Sequence, residues 1–83
     1  MNTAQMHSLA IKRAEELGTK LAEYANKNVG KNLTRLVNKD RKKLIAEFGV
    51  CTQAMYTAHA HAFIKNYAQG EYHARNAYYP RGN

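Results

Sequence analysis

The chain reads as a mainly α, single small domain, and three observations predict that class. Apolar or small positions in residues 3–28 recur at spacings of three and four, the period of one helix face. Side chains with capping chemistry (Asn2, Asn32 and Asp40) precede stretches with helical apolar spacing. Proline occurs once in 83 residues, while 45% are apolar or aromatic, a composition that folds. A chain this short buries only about 60% of its unfolded surface, so a second copy or a partner is expected to add stability. Barrels and dinucleotide-binding sheets are excluded by length.

The first element is a long helix over 3–28, within an N-terminal segment 1–30. Its inward stripe is expected to be Met6, Ala10, Ala14, Leu17, Leu21, Tyr24 and Asn28. Asn2 is its N-cap, with Gln5 reaching back as in a capping box. Glu16–Lys20 and Glu23–Lys27 are i,i+4 pairs in the favourable order. Gly18 either weakens the middle by about 1 kcal/mol or permits close packing there, and Gly30 is a stop signal. A short second helix is expected from Leu33 to Lys39, capped by Asn32, with Leu33, Leu36 and Val37 inward. A third runs from Arg41 to Phe48, capped by Asp40, with Leu44, Ile45 and Phe48 inward. Gly49 ends it. A fourth starts at Thr52, with Ala54, Met55, Ala58 and Ala62 on one side. Beyond Phe63 the Tyr-rich segment 63–83 is helical to a stop at Gly70, or a short β-hairpin. Its alanines favour helix, and Pro80–Asn83 is expected to be a frayed tail.

Charge is concentrated in one block. The net charge is +7, and residues 27–43 hold +6 of it: Lys27, Lys31, Arg35, Lys39, Arg41, Lys42 and Lys43 against Asp40 alone. Such a block attracts phosphate or an acidic protein surface. Its plainer reading is a solvated face that aids solubility.

Residues 33–62 carry the most informative pattern. An amphipathic helix ends at Phe48, Gly49 turns the chain, Val50 follows, and Cys51-Thr52 opens a helix with Ala54, Met55 and Ala58 inward. Phe48 and Val50 would plug the angle between two helices that small Ala54 and Ala58 allow to approach. This is a helix-turn-helix layout. On Gly49-Val50, Ala54-Met55 and Ala58, with an echo in Ala68-Gln69-Gly70 and Tyr79-Pro80, the chain resembles bacterial and phage helix-turn-helix repressors. The small Cro-type phage repressors are nearest, over residues 33–80. Residues 1–30 have no counterpart in them, Ile45 stands where that motif has a small residue, and Cys51 stands where it has Ser or Thr. Thr52 is then the cap, one residue later.

The resemblance implies double-stranded DNA as partner, bound by a homodimer that places two reading helices about 34 Å apart. It makes Thr52, Gln53, Tyr56 and Thr57 the base-reading residues, with Gln53 suited to adenine. Lys31, Arg35, Lys39, Arg41, Lys42 and Lys43 would hold phosphates.

Other constellations carry less. His59 and His61 point about 200° apart on a helix and cannot share a metal, and no Asp, Glu or Cys stands at a ligand spacing beside them, so they are expected at the surface or facing a groove. Cys51 lacks an orienting carboxylate and reads as a buried or semi-buried turn residue. Gly30-Lys31 lacks the remainder of a phosphate-binding loop. No enzyme, cofactor or metal site is expected. The six tyrosines are core edge, protein interface, or platforms for unpaired bases.

No secretory leader or membrane span is visible, and the single cysteine suits a reducing, cytoplasmic setting. The expected function is a small DNA-binding transcriptional regulator. The alternative is a phage-type inhibitor whose basic and Tyr-rich surface meets an acidic host protein surface.

Overall fold

A computed structural model describes residues 2–28 and 32–78, with side chains in 2–28 and 32–67. It holds three helices: α1 (Thr3–Lys27), α2 (Leu33–Phe48) and α3 (Gln53–Tyr78). There is no strand among the described residues. The mainly α expectation holds, and the hairpin alternative is replaced by a helix that continues through Gly70.

The termini follow local chemistry. Asn2 accepts from the Gln5 N–H at 2.8 Å, and Gln5 Oε1 accepts from the Asn2 N–H at 3.0 Å, the expected capping box. Asn28 ends α1, where its backbone N–H and its side-chain amide both donate to the Tyr24 carbonyl. Asn32 caps α2 through the Arg35 N–H. Thr52 Oγ1 accepts from the Met55 N–H at 3.3 Å, so Thr52 does take over the cap of α3 from Cys51. Gly49 closes α2 at φ 81°, a left-handed conformation that a side chain would strain.

The expected break at Lys39–Asp40 does not occur, and α2 is one helix through Phe48. Nothing at that point forces an end, because the segment has neither Gly nor Pro. Asp40 disrupts a helix only when its carboxylate competes for nearby backbone N–H groups. Here the carboxylate is drawn inward to another partner. Leu33, Val37, Asp40, Leu44 and Phe48 then share one face, buried or half-buried, and Ile45 is rotated out of it and 47% exposed. Val50 is exposed rather than plugging a helix angle, and Ala54 is exposed rather than inward. Cys51 is half-buried as expected.

The core is Ala10, Ala14, Leu17, Leu44 and Met55, with Ile11, Phe48, Cys51 and Ala58 packed against it. α1 runs antiparallel to α2. Arg13 donates to Glu47 near one end, and Tyr24 and Leu36 line one hollow near the other. The hydrogen bonds from Arg13 to Glu47 raise the guanidinium pKa above its ordinary value, with burial opposing them. α1 and α3 run parallel, since Gly18 lies against His59 and Ala62 while Thr19 lies against Asn66. The chain is an up–down–up three-helix arrangement in which α1 and α3 make the longest contact.

That contact explains Gly18. A Cβ built there would collide with the His59 carbonyl oxygen and stand 3.1 Å from Ala62 Cβ. Of the two readings open to it, close packing holds. Gly18, Ala22 and Ala25 are buried beside the expected stripe of Ala10, Ala14, Leu17 and Leu21, so α1 has two packing sides. This wider face turns Tyr24 (44% exposed) outward, and Met6 (46% exposed) lies in a stretch, residues 2–9, that is exposed throughout, both against expectation.

Candidate nucleic-acid interface

α2 has two chemically opposite sides. Arg35, Lys39, Lys42 and Lys43 are exposed and recur at helical spacing on the outer side. None of the four forms a salt bridge among the described residues. Asp40, the only acid of the block, faces inward and is 8% exposed. Its Oδ2 lies 3.0 Å from Nε2 of His59 on α3. His59 is fully buried, correcting the expectation that it sits at the surface. It follows Met55 by one helical turn and therefore shares its buried side. A carboxylate only accepts, so the ring proton belongs on Nε2, and Nδ1 is left buried without a hydrogen-bond partner. The consequence for the surface is simple: the one negative charge that would dilute the basic block is removed from it.

The basic side continues across a groove to α1. One hollow between the helices is lined in part by Tyr24, Asn32, Arg35, Lys39 and Lys42. A neighbouring hollow is lined in part by Lys20, Tyr24, Leu36, Lys39 and Lys43. Arg41 leaves α2 on the other flank, where its guanidinium carbon lies 4.4 Å from the centroid of the Tyr56 ring, a cation–π distance.

The residues expected to read bases lie elsewhere. Thr52 is used as the α3 cap. Tyr56 is half-buried beneath Arg41. Gln53 Nε2 donates to Thr57 Oγ1 at 3.3 Å, and both line a groove between α1 and α3 with Glu15, Thr19, His61 and Lys65. On α1, Glu15 and Tyr24 are half a turn out of phase, so this groove and the basic one lie on opposite sides of that helix. The structure thus gathers Arg35, Lys39, Lys42 and Lys43 on one face and sets Gln53 and Thr57 on another. Lys31 lies outside the described residues.

Two members of the basic groove, Lys20 and Tyr24, were not singled out as site residues by the sequence. The small residues Gly18, Ala22 and Ala25 are the signal that could have located them. They mark a second packing side on α1 and therefore move Tyr24 to its edge. No sequence signal pairs Asp40 with His59.

The chain gives no match to protein-family models, to curated proteins or to solved structures. No described helix is long and apolar enough to cross a membrane.

Proposed function

We propose that this protein is a small DNA-binding regulator that holds the phosphate backbone on the outer side of α2. One observation carries the reading: four exposed cations share that side while the only acid of the block is turned inward onto His59. Clustered Lys and Arg bind DNA by releasing its condensed counterions, which makes affinity fall steeply with salt. Gln53 is exposed and Thr57 half-buried, and both line the groove on the opposite side of α1, so a duplex held on the outer side of α2 does not reach them. The exposed apolar side chains Met6, Leu9, Ile45 and Val50 lie toward one end of the bundle and support the homodimeric form of the reading.

The test is fluorescence anisotropy with duplex DNA across a salt series. Replacing Lys39, Lys42 and Lys43 with Gln should flatten the slope of log affinity against log salt by about 3, roughly one per phosphate contact. Replacing Gln53 and Thr57 with Ala should leave duplex binding and its salt slope in place, because neither lies on the basic face. Absence of duplex binding at low salt rejects the reading, and a pull-down for an acidic protein partner then becomes the next step.

A further inference from the structure

The basic groove between α1 and α2 contains one residue that phosphate binding alone does not use. Tyr24 is 44% exposed, although its position in the apolar spacing of α1 suits a core residue. It lines both hollows of the groove, together with Leu36 and Lys39. Lys20, Arg35 and Lys43 complete the cationic surround. The contrast with the other tyrosines is informative. The Tyr56 ring is covered by Arg41, and the Tyr67 ring is stacked on Phe63 at 5.3 Å between centroids. Among the described residues, no cation or aromatic ring covers Tyr24.

We propose that the α1–α2 groove takes an unpaired polynucleotide strand, with one base stacked on the Tyr24 ring and the flanking phosphates held by Lys20, Arg35, Lys39 and Lys43. An aromatic ring between cations matches the two repeating parts of a single strand, a flat π-face and a charged backbone. In a duplex the base faces are occupied by their neighbours, so Tyr24 has nothing to stack on there. Leu36 forms an apolar wall beside the ring. Of the two acids on α2, Asp40 is turned inward onto His59 and Glu47 is held by Arg13, so neither carboxylate is left free to oppose the strand's phosphates. The inference rests on the nucleic-acid reading of α2 and names the form of nucleic acid that this edge of the surface selects.

The chain contains no tryptophan, so a Tyr24→Trp variant carries a single emission reporter at the proposed platform. Titration with oligo-dT should quench that emission saturably, as stacking on a base requires. Tyr24→Ala should weaken oligo-dT binding about tenfold and duplex binding far less, while Tyr24→Phe keeps both. A parallel titration with oligo-U identifies the preferred sugar, and tighter binding of either strand fits the groove. Circular dichroism of each variant checks the fold. Should Tyr24→Ala misfold, the Phe and Trp variants still decide the matter through retained affinity and quenching. Oligo-dT binding that leaves the emission of the Tyr24→Trp variant unchanged, or equal binding by a folded Tyr24→Ala chain, overturns the stacking role while the duplex reading stands. Failure of both single-stranded and duplex DNA to bind at low salt overturns both.

Discussion

The two seams that α1 makes are built on opposite plans. Toward α3 the contact is closed by small residues, with Gly18 set against the His59 carbonyl and Ala22 fully buried. Toward α2 it is made by larger side chains: Leu17, Leu21 and Leu44 are buried, but Leu36 and Val37 are only half-buried. A seam closed backbone to backbone leaves no room for chemistry between its helices. A seam propped open by long side chains leaves a trough along its margin, and that trough is where Lys20, Tyr24, Lys39 and Lys43 meet. The spacing of the helices therefore decides which side of α1 can receive a ligand.

The comparison can be broken most forcefully at Leu44, which is fully buried where the two seams meet. Leu44→Ala should lower stability by about 2–5 kcal/mol, seen as a drop in Tm of roughly 10 °C or more. A Tm within a few degrees of the parent would show that α2 is not seated on the core. Gly18→Ala tests the close seam. The added methyl must separate α1 from a backbone carbonyl that cannot swing aside, an overpacking cost of about 1–3 kcal/mol. That loss should outweigh the roughly 1 kcal/mol that alanine gains in helix propensity. A raised Tm in the denaturation curve would mean that the seam is looser than described.

Asp40→Ala strands both ring nitrogens of His59 in the core and should cost about 1–3 kcal/mol. The double variant Asp40→Leu/His59→Leu should recover much of that loss, since removing both polar partners leaves nothing unsatisfied. Additive losses in this cycle would show that the two side chains contribute independently. The smallest effect on the fold belongs to Lys39→Gln/Lys43→Gln. Both positions are exposed, so chemical denaturation should move by no more than about 0.5 kcal/mol. The same pair should lower the salt slope of DNA binding by about 2. A large stability loss would place these lysines in the structure rather than at its interface.

Much of this architecture is legible from spacing. The α1 stripe, its capping box, the Asn32 cap and the turn at Gly49 follow from local rules that act within a few residues. Two features were not legible. Asp40 has the chemistry of an N-cap, and only the distant His59 Nε2 makes it a buried residue inside a continuous helix. Tyr24 fits an apolar stripe by phase, and it is turned out because Gly18, Ala22 and Ala25 bring α3 onto a neighbouring side of α1. Both depend on partners far away in sequence, which periodicity within one helix does not encode. The basic block was visible as composition. That its acid turns away from the surface, and that Gln53 and Thr57 fall in a different groove, required the packing.

The parallel course of α1 and α3 also bears on the order in which the chain folds. Gly18 and His59 lie half the chain apart, so the longest contact in the molecule cannot begin until α2 has carried the backbone home. During synthesis, the N-terminal half emerges with the bare small-residue side of α1 and no helix to cover it. A ribosome-tethered fragment ending at Phe48 should therefore be readily cut by protease, and protection should arrive only once α3 has cleared the exit tunnel.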